Sequence, residues 1–161
     1  MSALPAEASD ADIATGVVVR LGAGRYALPM AAIAEVGRVP GVTRVPGAPA
    51  WIAGVSNWRG RILPIIDLRS LLGVPTADLR DNARVVVVAD ESVSLGLLVE
   101  AVEGVAVLPV GELEPPPATV GADAADLLAG QWHDERSPVG VLDVATVLGL
   151  RGRLPRERRR D

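Results

Sequence analysis

At 161 residues, 49% of them apolar, the chain suits one domain or two small lobes sharing one core, and it lies outside the composition range of disordered proteins. The absence of Cys excludes disulfides and thiolate metal sites, and no apolar run approaches the roughly 18–20 residues that span a bilayer. The net charge of −4 is unevenly spread: residues 151–161 hold six of the sixteen basic residues, all of them Arg, leaving ten basic against eighteen acidic in 1–150, a balance that argues against general nucleic-acid binding.

Residues 1–14 read as a flexible leader without the basic start and apolar centre of a secretion signal, which points to a cytoplasmic protein. With no Phe and one Tyr, the interior must be built from Val, Leu, Ile and Ala, and the Val-rich runs favour strands. TGVVVRL (15–21) and RYALPM (25–30) flank a GAG turn as a hairpin. AAIAEV (31–36) is a short apolar segment, followed by a loop punctuated by Pro40, Pro46 and Pro49. AWIAGVS (50–56) and RILPIID (61–67) flank the corner NWRG, and LRSLLG (68–73) suits one or two helical turns closed by Gly73. After a polar connector, RVVVVAD (84–90) and SLGLLVEAV (94–102) form a second hairpin, with EGVAVLP (103–109) behind it. Residues 151–161 form a basic, solvated tail.

The chain carries an internal repeat. Shifted by 69 positions, residues 17–40 fall on 86–109 without a gap, so that VVV meets VVV, Leu28 meets Leu97, Ile33 meets Val102, Val36 meets Val105 and Pro40 meets Pro109. Shifted by 76, residues 51–73 fall on 127–149, with Gly54 on Gly130 and Asp67 on Asp143. Two offsets in the same order suggest a tandem duplication. Under the second shift NWRG (57–60) lands on HDER (133–136), so the Trp-Arg corner is not repeated. Asn57 and Gly60 suffice for a turn. Trp58 and Arg59 therefore read as a specialisation of one lobe, facing a protein partner; Arg and Trp are enriched at interface hot spots, and the Arg fork suits carboxylates. An intramolecular salt bridge from Arg59 to Glu35, with Trp58 covering the lobe, is the structural alternative.

Catalytic and metal sites are not expected. His133 is the one histidine and sits in a polar loop beside Asp134 and Glu135. GAG (22–24) lacks a third glycine and a following helix, and without Lys no phosphate-cradling Gly-Lys-Ser/Thr loop exists. Glu112 and Glu114 lie in a proline-marked loop, and Asp67 and Asp143 read as helix N-caps. No cofactor and no enzymatic activity follow from this inventory.

VSNWRGRILPIIDLRSLLG (55–73) resembles the CheW-like family of chemotaxis coupling proteins, whose Asn-x-Arg-Gly corner precedes a strand ending Pro-x-x-Asp-Leu-Arg. Residues 26–55, 95–108 and 140–150 are similar to the same family, so the resemblance covers about 15–150. It implies a mainly β fold of two SH3-like five-stranded barrel lobes sharing a hydrophobic core, with short helices, and a non-catalytic scaffold. The implied partners are the cytoplasmic tips of chemoreceptors and the regulatory domain of a CheA-type histidine kinase, and the implied location is a membrane-associated receptor array without membrane insertion. Carried over by position, the receptor groove involves Ile33, Glu35, Arg59, Val102 and Val105, with Trp58 on an unassigned partner surface. Position 58 is Trp where the family more often has Leu, and position 100 is Glu where it often has Asp. A pilus, developmental or other non-flagellar kinase pathway is the neighbouring alternative. A nucleic-acid-binding barrel is the remote one, and it would need stacking aromatics among basic residues that this acidic body lacks.

Overall fold

The computed structural model describes residues 14–117 and 120–154. Ten strands and three short helices follow in chain order: β1 (Ala14–Leu21), β2 (Gly24–Pro29), β3 (Ile33–Arg38), β4 (Ile52–Trp58), β5 (Arg61–Ile66), α1 (Arg69–Leu72), β6 (Arg84–Ala89), β7 (Ser94–Val99), β8 (Ala101–Leu108), α2 (Ala122–Asp126), β9 (Leu128–His133), β10 (Pro138–Leu142) and α3 (Val144–Gly149). Single 3-10 turns occupy Met30–Ala32 and Leu150–Arg153. The expected leader and the end of the basic tail lie outside the described residues.

The strands form two five-stranded sheets, ordered β8-β1-β2-β10-β9 and β3-β6-β7-β5-β4. The second sheet is one continuous stretch inserted between the two pieces of the first. Under the shifts of 69 and 76, each strand of one sheet maps onto the strand at the same place in the other. The fine structure repeats as well. Val141 pairs Ala27 in parallel where Ile65 pairs Gly96. Ala34 and Glu103 occupy equivalent bulges, skipped where Ile33 and Glu35 pair β6 and where Val102 and Gly104 pair β1. Asp67 N–H donates to the Trp51 carbonyl at 2.8 Å, and Asp143 N–H to Leu127 at 2.7 Å.

Continuous Val runs fit strands buried on both faces. Val86 and Val88 of β6 join Val17 and Val19 of β1, Leu28, Leu97 and Leu142 in a core shared by both sheets. Val85 and Val87 point the other way, into a cluster with Leu63, Ile65 and Leu98 inside one lobe. Val18, with Ala27, Leu108 and Val139, does the same in the other lobe.

Each outer strand β4 and β9 has its free edge covered by a single bridge from the loop before it. Thr43 exchanges backbone bonds of 2.8 and 2.9 Å with Val55, and Glu114 exchanges bonds of the same lengths with Gln131. Covering an edge in this way blocks pairing with another chain. The loops can lie so close because the preceding positions are glycine. A Cβ on Gly54 would overlap the Thr43 carbonyl, and one on Gly130 would lie 2.7 Å from Leu113 Cβ; both glycines have positive φ, +148° and +157°.

Of the two aspartates read as N-caps, Asp143 is one: its side chain accepts from Thr146 N–H at 3.2 Å. Asp67 is not the cap of α1, where Leu68 holds that position without a side-chain bond. Its carboxylate instead takes Arg69 Nε at 2.9 Å and Nη2 at 2.8 Å, with Arg69 N–H at 3.1 Å. The guanidinium of Arg69 engages both oxygens, and Oδ1 is shared with the first N–H of α1.

Gly54→Ala should lower stability by about 2 kcal/mol or more, because it adds both a clash and a disfavoured φ. Gly41→Ala, where a Cβ meets open space, should change it by less than about 0.5 kcal/mol. Urea denaturation of the two variants checks this; equal midpoints would contradict the edge-covering role of Gly54.

Candidate functional site

The NWRG corner closes the β4–β5 hairpin, with Trp58 paired to Arg61. Its two loop residues are therefore Arg59 and Gly60, with φ of +52° and +81°. Positive φ at both central positions is the two-residue turn whose twist suits a hairpin, and its first position favours Asn, Asp or Gly. Asn57 lies outside the turn and braces it, its Oδ1 accepting the Gly60 N–H at 3.0 Å. Among the described residues Arg59 is the one non-glycine with positive φ. An Arg there runs against the local preference for Asn, Asp or Gly.

Trp58 and Arg59 diverge. Trp58 is half-buried: its Nε1–H donates to Glu35 Oε2 at 2.9 Å, and its ring lies over Gly37, where a Cβ would come within 2.7 Å. It also packs against the core of its own lobe. Arg59 makes the Glu35 ion pair named as the structural alternative, through Nε at 2.9 Å and also through Nη2. Its side chain nevertheless stays 74% exposed. The Arg59 guanidinium, followed by the Trp58 indole N–H, holds the Glu35 carboxyl below its usual range, so the pair is charged at neutral pH. The corner is thus tied to edge strand β3 while still offering Arg59 donors outward.

The equivalent corner of the other lobe has the same task with other residues. Asp134, at the Trp58 position, takes Arg25 Nη1 at 2.6 Å, and Arg25 Nε reaches Glu103 on edge strand β8 at 2.9 Å. Asp134 also accepts the N–H groups of Ser137 and Arg136, and these, followed by Arg25, lower its pKa to about 2. His133 is exposed at the end of β9.

The five positions carried over for a receptor groove fall in three places. Glu35 and Arg59 meet. Ile33 and Val102 are half-buried, both packed against the core shared by the lobes. Val105 is 66% exposed and lines a separate depression beside Arg25 and Asp134. The i, i+3 pairs Ile33/Val36 and Val102/Val105 each share a strand face: the bulges at Ala34 and Glu103 absorb one residue, so Ile33 and Val36 stand opposite Val88 and Val86, and Val102 and Val105 opposite Val19 and Val17. Val36 and Val105 are nevertheless 42% and 66% exposed, whereas Ile33 and Val102 are half-buried against the shared core.

Two features escaped the sequence reading. Ile62, 67% exposed, joins Glu35, Trp58, Arg59, Arg61 and Arg151 around a groove of about 500 Å³. The second is Arg69, 5% exposed, which reaches Glu100 at 2.8 Å and the Ala77 carbonyl at 2.8 Å as well as Asp67. Glu100 stands where the chain passes from β7 to β8 and so from one sheet to the other, and its own N–H donates to the Arg20 carbonyl at 2.9 Å. The cluster therefore ties α1 to the crossing between lobes. Asp67, followed by Glu100, raises the Arg69 pKa further above its already high value. No group of three or more His, Cys, Asp or Glu suited to a metal occurs among the described residues, and no described helix is long and apolar enough to cross a membrane.

The family model of the CheW-like domain matches residues 15–151. Protein PilI of Pseudomonas aeruginosa is 35% identical over 133 residues, covering 83% of this chain and 75% of that protein. Chemotaxis protein CheW of Bacillus subtilis is 28% identical over 141 residues, covering 86% and 90%. Protein FrzA of Myxococcus xanthus is 34% identical over 106 residues, covering 66% and 65%. Among solved structures, the scaffolding protein TtCheW of Thermoanaerobacter tengcongensis superposes with a TM-score of 0.73 at 26% identity, covering 81% of this chain and 84% of that one.

Arg69→Ala leaves two carboxylates without their cation and should cost about 3 kcal/mol, towards the lower end for a buried pair because both partners keep some water contact. Urea denaturation measures it, and an unchanged midpoint would show the cluster to be dispensable. The Asp134 carboxyl should titrate near pH 2 by NMR. Because its folded pKa lies below the unfolded value of about 3.9, its contribution to stability is complete above about pH 4 and is lost as pH falls towards 2. Asp134→Asn should flatten that acid limb; an Asp134 pKa near 4 would contradict the bonding described.

Proposed function

The chain belongs to the CheW-like domain family, and from that premise we propose that it is an adaptor coupling chemoreceptors to a CheA-type histidine kinase. Adaptors of chemotaxis-type signalling act as scaffolds, and what such a protein contributes is surface rather than chemistry. In this reading the cytoplasmic tip of a receptor docks on the Arg59 corner. The kinase regulatory domain takes another face, and the protein works in the cytoplasm, recruited to receptor arrays. Glu35 sets the direction of the Arg59 fork, and the exposed N–H groups of Arg59 are the donors a partner helix would use. Ile33 and Val102 act from behind, as part of the core that holds the two lobes together, and Val105 is a contact at the far end of the interface.

The observation that carries the reading is Arg59 itself, a bulky cation kept at a left-handed turn position and left 74% exposed. The alternative pathway has its own support. PilI and FrzA match this chain at 35% and 34% identity, above the 28% of the Bacillus subtilis CheW. A pilus, developmental or other non-flagellar chemosensory kinase would use the same mechanism with different receptors.

Arg59→Asn is the informative change, because Asn accepts positive φ. It should leave the urea midpoint unchanged or raise it, weaken binding to the host's receptor-tip fragment about tenfold, and leave affinity for the kinase regulatory domain intact. Calorimetric titration of both partners reads this out. Full retention of receptor binding would remove Arg59 from the site, and loss of folding would make it structural.

A further inference from the structure

Three guanidiniums, Arg59, Arg61 and Arg151, and one carboxylate, Glu35, face the groove beside the corner. Glu35 is committed to Arg59 and Trp58. Arg61 is exposed and makes no ion pair within the described residues. Arg151 is also exposed, and the one hydrogen bond found for it there is from Nη1 to the Ser94 carbonyl at 2.9 Å, out of five N–H groups. Asp90 borders Arg151 in the adjoining depression. Its Oδ1 accepts the Ser92 and Val93 N–H groups, both at 2.8 Å, and it makes no ion pair with Arg151. Between the cations lie buried Leu63 and Val87 and the exposed side chain of Ile62. In a chain of net charge −4, this is a local excess of positive charge around an apolar strip.

Arg151 reaches the groove through a departure from the repeat. Gly73 closes α1 in the left-handed conformation, φ +72°, whereas the equivalent Gly149 has φ −61° and the chain runs on into the Leu150–Arg153 turn. That turn is fixed on both sides of Arg151: Leu150 is 3% exposed, and the Arg153 guanidinium sits 5.4 Å from the centre of the Trp51 ring. The guanidinium is delivered by a rooted element and not by a loose end.

We infer that Arg61 and Arg151 are specificity-determining residues of this groove, which takes an acidic helical segment of the receptor, carboxylates reaching the two guanidiniums and an aliphatic side chain seating on Ile62. The inference rests on the Arg59 corner being the receptor face. Amphipathic helices use grooves in this way, and rim charges set orientation and salt dependence more than total affinity. Arg151 would then discriminate among receptors in a way the turn residues cannot, because it belongs to the other copy of the repeat.

The test is a titration of the full chain with the host's receptor-tip fragment from about 0.05 M to about 0.5 M NaCl, across which the Debye length falls severalfold. Arg61→Gln and Arg151→Gln should each weaken binding about fivefold at low salt, lose part of the salt dependence, and leave the urea midpoint unchanged. A tip fragment with its Asp and Glu residues changed to Asn and Gln should bind wild type weakly and be indifferent to both substitutions. Arg59→Asn run alongside separates the two claims. Loss with Arg59→Asn but unchanged, salt-insensitive binding for Arg61→Gln and Arg151→Gln overturns the inference and leaves the receptor face standing. No loss with any of the three overturns both. If Arg61→Gln and Arg151→Gln weaken only the kinase regulatory domain, the assignment to the receptor is wrong.

Discussion

The chain crosses twice between its two sheets, and everything else depends on the core that those crossings enclose. After β2 it leaves the first sheet, completes the whole of the second as residues 33–99, and returns at Glu100 to finish the first. Strands β1 and β6 occupy the equivalent position in their sheets, next to the edge. Each buries one face in its own lobe and the other in the interior that both lobes share. Removing either lobe would strip apolar area from the other, so each lobe draws part of its stability from the shared core. The return crossing is held by the buried Arg69, with Asp67 on one side and Glu100 on the other. The carboxylate at position 100 supplies this guanidinium with its second acid.

On this duplicated frame the hairpin corners are where the copies diverge. Both corners tie an outer hairpin to an edge strand across the open side of the lobe, one through Glu35, Trp58 and Arg59, the other through Asp134, Arg25 and Glu103. The structural task is common and the chemistry is not. In one lobe the cation is Arg25, 11% exposed and enclosed by its two acids. In the other it is Arg59, outermost and open. The second divergence is at the end of the repeat, where Gly149 lets the helix continue and brings Arg151 to the same groove. Both departures enrich one face with guanidinium groups, which is how an acidic frame acquires a directional surface.

Much of the fold was legible because its determinants are local or periodic. Four consecutive valines at 85–88 announce a strand buried on both faces, and the two offsets of the repeat fix the correspondence of strands before any pairing is known. The site was legible in part. Arg59 stood out because its corner is not repeated, but the register of the turn was not readable. Asn57 and Gly60 both mark turns, and only the pairing of Trp58 with Arg61 decides which residues take positive φ. Trp58, read with Arg59 as facing a partner, is half-buried with its indole N–H on Glu35, the covering role that the sequence offered as the alternative. The spacing of Ile33 with Val36 suggested one face, and the bulge at Ala34 does put them on one face of the strand, but only Ile33 packs against the shared core while Val36 stays exposed. Arg151 and Ile62 were invisible as a pair, since only the three-dimensional path of the final turn brings them together.

The central claim is that the Arg59 corner, with the groove beside it, is the face that receives a partner helix. Amide NMR of the full labelled chain during addition of the receptor-tip fragment tests it most directly. Perturbations should be strongest on β3, the β4–β5 corner and the Leu150–Arg153 turn and weaker at Val105, with the Arg25–Asp134 corner beside it affected least. Perturbations centred on that other corner, with Arg59, Ile62 and Arg151 unchanged, would contradict it.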